Sequence, residues 1–264
     1  MSPISVVLPL IAPTPFLRAL AEFTIRTLRM HAEDPSYELV VVEAAGDHFA
    51  RYEAPSLIVK PDSAIDRYLN FMPPIGGVRE TNAAIDAARG EFIVSTGSDV
   101  IVPEGWDREL LRVFEERPKD CGIASLSASE PGAVIGPREP QDMIVEGMFS
   151  PFNMFRKGWR LDEAYQRIYQ DSDLVMRMYD AGLRAYRSCR AHVHHLGRMT
   201  TAVIGSGVGH ELALAQDERL FYRRWGKSPL AMFGMIRFGQ QTYGAEHDAW
   251  LRPIKLHYDA NTPE

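Results

Sequence analysis

The sequence predicts an α/β fold with a mostly parallel central sheet flanked by helices, and three observations carry that expectation. Ile4 to Leu10 and Glu38 to Val42 are near-continuous apolar runs rich in β-branched residues, the pattern of strands covered on both faces. Thr14-Pro15 between them offers an N-cap followed by proline in the first helical turn. Strand, helix and strand within about forty residues form a βαβ unit, which requires parallel pairing.

Taken in order, the first helix carries Phe16, Leu20, Phe23 and Met30 near helical period and ends at Asp34-Pro35. Glu43-Ala44-Ala45-Gly46 closes the second strand, Leu57-Ile58-Val59 reads as a short third strand, and residues 62–74 read as irregular. Gly76-Gly77 leads into a helix from Val78 to Arg89, whose Ala83, Ala84, Ala87 and Ala88 favour close packing and which Gly90 stops. A buried strand then ends near Thr96, and Pro103-Glu104-Gly105-Trp106 opens a helix facing Trp106, Leu110, Val113 and Phe114 inward.

From about Cys121 the regularity fades. Residues 128–142 read as a loop edging a cleft, and Glu146 to Arg156 as strand. Asp171 to Ala181 reads as a helix with Leu174, Val175, Met178 and Tyr179 on its apolar side, stopped by Gly182. Arg184 to Ser188 and Ala191 to His195 read as short strands. Gly205-Ser206-Gly207-Val208-Gly209 reads as a mobile loop, followed by a helix from Leu212 to Trp225 and a less regular tail beyond Ser228.

With 264 residues the chain can bury a substantial core. Its 45% apolar and 24% charged content is that of a soluble globular protein, and a net charge of −6 disfavours nonspecific attraction to nucleic acid or anionic membrane. Cys121 and Cys189 make no disulfide framework and suit a reducing compartment. No apolar run approaches a bilayer span and no signal segment precedes the first strand, so the expectation is a cytoplasmic protein without stable membrane insertion.

Three groups could carry chemistry. Asp99 follows a strand, where open α/β sheets bind ligands, although an Asp there is also a common turn residue. Asp171-Ser172-Asp173 opens a helix, where free N–H groups favour an ionised carboxylate able to accept a proton, or simply a cap. His192 and His194 alternate on a strand and share one face, with His195 on the other; any of the three suits a divalent cation. The glycines of 205–209 do not have dinucleotide-fingerprint spacing. Phe149, Phe152, Trp159 and Trp250 offer aromatic surface for a sugar or for the core.

In this order the pieces resemble a GT-A glycosyltransferase of the large inverting family 2. Ile4-Ser5-Val6-Val7-Leu8-Pro9 is similar to that family's opening strand, Leu39-Val40-Val41-Val42-Glu43 to its second, and Gly77, Asn82 and Ala88-Arg89-Gly90-Glu91-Phe92-Ile93 to its helix signature. The metal motif Asp-x-Asp falls on Gly97-Ser98-Asp99. Asp162-Glu163 resembles the acidic pair ahead of the catalytic motif, which itself falls on Gln170-Asp171-Ser172-Asp173-Leu174-Val175-Met176-Arg177. The late histidine falls on His194, and Arg223-Arg224-Trp225-Gly226 resembles the Lys-Trp-Gly that follows. Gly97, Glu43 and Gln170 depart from the family pattern.

The resemblance implies a single Rossmann-like GT-A domain over residues 1–226, divided into a nucleotide-sugar-binding half (1–120) and an acceptor and catalytic half (121–226), with a C-terminal helical or irregular extension over 227–264. It implies an inverting transfer of sugar from a nucleotide-diphosphate donor, UDP-sugar favoured, to an acceptor hydroxyl on a protein, glycan, small molecule or modified nucleobase. Asp171 is the expected general base, and Asp99 with His194 the expected ligands of Mn²⁺ or Mg²⁺. Pro9, Leu10, Ile11, Glu43, Gly77, Arg79, Asn82, Gly97, Ser98 and Asp173 are the expected substrate contacts. The alternative is a catalytically inactive GT-A-like nucleotide-binding or scaffold protein, motivated by Gly97 and Gln170. A nucleotidyltransferase fits less well, because Ile11-Ala12-Pro13-Thr14-Pro15 lacks the glycine and lysine of that class's phosphate loop.

Overall fold

The structure is a computed structural model that describes residues 3–12, 14–43, 65–71, 75–130, 133–135, 141–146, 151–166, 168–197, 199 and 208–226. Its elements are β1 (Ile4–Leu10), α1 (Pro15–His31), β2 (Glu38–Glu43), β3 (Arg67–Asn70), α2 (Gly77–Ala87), β4 (Phe92–Thr96), β5 (Val100–Ile101) and α3 (Trp106–Glu116). They continue with β6 (Cys121–Glu130), β7 (Ala133–Ile135), β8 (Ile144–Glu146), β9 (Phe152–Arg156), α4 (Gln170–Asp180), β10 (Arg184–His195) and α5 (Val208–Trp225). The third strand expected at 57–59, the loop centred on 205–207 and the tail beyond 226 lie outside the described residues.

All the described strands join one sheet in the order β3-β2-β1-β4-β9-β6-β10-β5, with β7 paired to β6 and β8 to β10. The half formed by β3, β2, β1 and β4 is parallel throughout, as the βαβ pattern predicts. Beyond it the sheet is mixed. β9 inserts antiparallel to both β4 and β6, and β5, β7 and β8 also pair antiparallel, while β6 and β10 run parallel. Two helices cover each described end of the core, with a fifth completing one face. Leu17, Ala21, Ile25 and Leu28 of α1 and Trp106, Leu110 and Val113 of α3 pack on one face. Ala84 and Ile85 of α2, Leu174, Val175 and Met178 of α4 and Phe221 of α5 pack on the other.

Several expectations are corrected. Thr14 caps α1 as foreseen, its Oγ1 accepting from Leu17 N at 3.3 Å. The Phe16, Phe23 and Met30 stripe, however, faces outward, and the small and branched side chains of Leu17, Ala21, Thr24, Ile25 and Leu28 fit against the sheet instead. Residues 67–70, read as irregular, form β3 because their backbone continues the ladder of β2. Residues 121–130 form a long strand, and the strand expected from Glu146 to Arg156 splits into the end of β8 and β9. The two short strands at 184–195 are one, interrupted by a bulge between Ser188 and His192. Gly90 does not stop α2, which ends at Ala87. A Cβ there would lie 2.5 Å from Ser5 N, so glycine is required because the chain passes directly beneath β1.

Candidate active site

Strand direction assembles the site. β6 runs with β4 because both oppose β9, and β10 runs with β6, so β1, β2, β4, β6 and β10 all end at one edge. That edge carries Pro9 and Leu10 at the end of β1 with Ile11 after it, Glu43 at the end of β2, Gly97-Ser98-Asp99 after β4 and His194-His195 at the end of β10. Open α/β sheets bind their ligands along such an edge. The helix bearing Asp171 reaches it too. Met178 at the far end of α4, with Leu183 just beyond the helix, lies against Gly122 at the start of β6, so α4 runs back in the direction of the strand ends.

Asp99 is nearly buried, and His195 rather than the expected His194 comes to it, with Nε2 3.3 Å from Asp99 Oδ1. β5 pairs with the end of β10, aligning His195 with Val100, and Leu196 N donates to Asp99 O at 2.9 Å. His194 is exposed, and its Nδ1 lies 2.9 Å from Ser129 Oγ. Thr24 Oγ1 donates to Ser98 O at 3.0 Å and ties the turn to α1. A Cβ on Gly97 would stand 2.9 Å from Asp99 Oδ1, so the glycine leaves that carboxylate its room.

One carboxylate and one imidazole are donors that could hold a divalent cation. Adjacent donors around an octahedral Mg²⁺ or Mn²⁺ stand about 3 Å apart, close to the spacing of Asp99 and His195. Among the described residues no three His, Cys, Asp or Glu side chains gather into a fuller cage. Two protein donors suit an ion that takes its remaining ligands from substrate phosphates and water.

Asp171 sits in the first turn of α4, after Tyr169, whose φ of 67° is left-handed. Its Oδ1 accepts from Ser172 N at 2.7 Å. The side chain is open to solvent on one side but otherwise ringed by protein, and this dehydration raises its pKa above the usual carboxylate range. The sequence favours the ionised form from the helix terminus alone. Dehydration outweighs that effect, although solvent access limits the rise.

Glu43 is fully buried. Its Oε2 accepts from Tyr68 Oη (2.6 Å) and Asn70 Nδ2 (2.9 Å), while Oε1 has no hydrogen-bond partner among the described residues. Buried beside it is Glu80, whose Oε1 accepts from Ile75 N at 3.1 Å and whose Oε2 likewise has none among them. Burial raises the Glu80 carboxyl, and the charge of Glu43 adds to the rise. Sequence reasoning missed Glu80 because an acid in a helix's first turn ordinarily faces water and the dipole.

Three expected substrate contacts are placed elsewhere. Asn82 is buried and saturated, donating to Leu161 O (2.9 Å) and Glu163 Oε1 (3.1 Å) and accepting from Leu161 N (3.0 Å). Asp173 has no exposed surface. Its Oδ1 accepts from Tyr165 Oη (3.2 Å), Arg224 Nη1 (2.8 Å) and Trp225 Nε1 (3.0 Å), and its Oδ2 from Arg177 Nε (2.7 Å). Both acids and amides of this kind join elements rather than meet ligand. The Leu10 side chain is likewise in the core, leaving only its backbone for a ligand. Arg79 is exposed beside the first turn of α2, 3.5 Å from Glu163, and Gly77 has open space around it.

No family model and no curated protein matches the chain by sequence. Its fold is found in solved structures. S. aureus TarS matches with a TM-score of 0.56 at 15% identity, over 98% of this chain and 52% of that one. This chain therefore spans about half the length of that protein. TarS 1-349 in complex with UDP-GlcNAc matches at 0.56 and 14% identity, over 98% and 87% of the two chains. The same fragment with UDP matches at 0.56 and 13%, over 95% and 78%. At such identities the likeness is one of fold: a mixed α/β sheet with helices on both faces. No described helix is long and apolar enough to cross a membrane.

Proposed function

We propose that the protein is a glycosyltransferase of the GT-A type that moves a sugar from a nucleotide-diphosphate donor to an acceptor hydroxyl with inversion. What supports this reading is that Asp99 follows β4 at the edge where the parallel strands end, while α4, which carries Asp171, packs on β6 and β10 with its far end against the start of β6. The TarS complexes with UDP and UDP-GlcNAc support a UDP-sugar on a fold of this kind.

The nucleoside would border Pro9 to Ile11 and the end of β2. The diphosphate would approach the first turn of α2, where Gly77 leaves the backbone N–H groups uncovered and Arg79 adds a cation. Asp99 and His195 would hold Mn²⁺ or Mg²⁺, which acts as a Lewis acid on the departing diphosphate. Asp171 would take the proton of the acceptor hydroxyl as its oxygen attacks the anomeric carbon opposite the leaving group. A raised pKa suits that task, because a stronger base accepts the proton more readily. General-base assistance of this kind is worth about 10²–10⁴-fold.

The test is UDP release and product formation by the parent and by Asp171→Asn, with nucleotide binding followed by thermal shift with and without Mn²⁺. The variant should lose transfer by about 10²-fold or more while binding nucleotide as the parent does. Transfer at the parental rate would refute the role of Asp171. Gly97 and Gln170 favour a second reading, a nucleotide-binding scaffold. It predicts that the parent binds nucleotide yet consumes no nucleotide sugar.

A further inference from the structure

α5 grips the segment on either side of Asp171. Asp217 is almost wholly buried, and its two oxygens accept from the backbone N–H groups of Gln166 and Ile168, each at 2.9 Å. Gln166 Nε2 reaches Gln216 Oε1 at 2.6 Å. Tyr169 bonds to Glu218 through its hydroxyl and packs on Phe221 with ring centroids 6.0 Å apart. One turn beyond Phe221, Arg224 and Trp225 take hold of Asp173. Residues 217, 221, 224 and 225 share one helix face, so a single surface of α5 spans the approach to α4 and its first turn.

The gripped segment has reason to need it. Tyr169 is the one residue other than glycine with positive φ among those described, and it immediately precedes Gln170 and Asp171. An aromatic residue favours the left-handed region poorly, so a free turn would relax toward ordinary φ and swing the start of α4. Acceptance by both Asp217 oxygens fixes the N–H groups of Gln166 and Ile168 ahead of that residue.

We infer that Asp217 is a positioning residue that acts through the 166–169 turn to hold Asp171 in its working place. This rests on Asp171 being the base of the proposed transfer. Asp217 touches no reacting atom. The groups facing Asp171 are the backbone N–H and hydroxyl of Ser172 and, on the turn, Tyr169, with Asp217 and Glu218 behind it on α5. Releasing that segment would free the start of α4 and move the Asp171 carboxyl away from the surroundings that raise its pKa.

The experiment compares Asp217→Ala and Asp217→Asn with the parent in the full chain. Three readouts apply: amide hydrogen exchange over 162–173, the Asp171 titration midpoint by carboxyl ¹³C NMR, and UDP release from UDP-GlcNAc with Mn²⁺. In Asp217→Ala, exchange at Ile168 to Asp171 should quicken at least about tenfold and the Asp171 midpoint should fall. UDP release should show a lower kcat at unchanged KM, and Asp217→Asn, keeping one acceptor, should be intermediate. Should Asp217→Ala fail to fold, Asp217→Asn and Trp225→Phe carry the same comparison. A folded variant with parental exchange and an unmoved Asp171 midpoint overturns the inference. The two non-kinetic readouts stand even if Asp171→Asn proves active, so failure of the base assignment is told apart from failure of the positioning role.

Discussion

Asp173 offers a measurement that separates a scaffold acid from a substrate contact. Asp173→Asn keeps an oxygen able to accept from Tyr165, Arg224 and Trp225 but replaces Oδ2 with an amide NH₂ that faces the Arg177 donor. It also removes the charge between two guanidinium groups. Breaking a buried ion pair costs about 3–5 kcal/mol. Arg177 and Arg224, however, keep 29% and 33% of their side-chain surface exposed, so water solvates the released charge in part. A loss of about 2–3 kcal/mol is the reasonable expectation. For a chain of this size that corresponds to about 5–10 °C in Tm. Thermal melts should show that drop, and titration with UDP well below the transition should return the parental affinity. The reasoning fails if Asp173→Asn melts within about 1 °C of the parent while nucleotide or acceptor binding falls tenfold.

Glu80→Gln tests the buried carboxylate pair. The folded pKa of Glu80 is raised, so its contribution to stability is full below its ordinary value of 4.5 and is lost as pH rises through the raised one. The amide keeps an acceptor for Ile75 N, so the variant should be the more stable of the two near pH 8, and the gap should close toward about pH 4. Melting curves across pH read this directly, and a pH-independent difference would refute it. Gly97→Asp restores the missing acid of the metal motif but sets its Cβ 2.9 Å from Asp99 Oδ1. It should therefore push Asp99 off His195 and weaken Mn²⁺-supported UDP binding with little change in Tm, since only a side-chain tip must move. Tighter Mn²⁺-supported binding would show that the glycine does not serve Asp99.

The parallel half of the sheet was legible because its strands are buried on both faces and advertise it: Leu39 to Val42 has no polar interruption. β6 was not, since Ser125, Ser127 and Ser129 alternate with Ala124, Leu126 and Ala128, a small and mixed pattern that becomes a strand only between β9 and β10. Those partners lie some 30 and 60 residues away in sequence, and no local period reports them. β3 was missed for the same reason: four half-exposed residues are a strand because β2 offers a free ladder edge.

The site divides along similar lines. Which edge the acids occupy follows from strand direction and could be read early; which of them meets solvent depends on packing. For Asp171 and Asp173 no local signal decides. Residues two apart on a helix differ by about 200°, which sets Asp173 nearly opposite both Asp171 and the buried Val175, so helical period alone would leave Asp173 on the outer side of α4. It is interior because Tyr165 and the end of α5 cover it, and there it must find cations. Arg177, one turn on, is the cation the sequence supplies locally. Arg224 and Trp225 come from another helix, and their arrival at Asp173 is what binds α5 to the element that carries Asp171. The acid that does no chemistry is thus the one through which the late Arg-Trp pair bears on the acid proposed to do it.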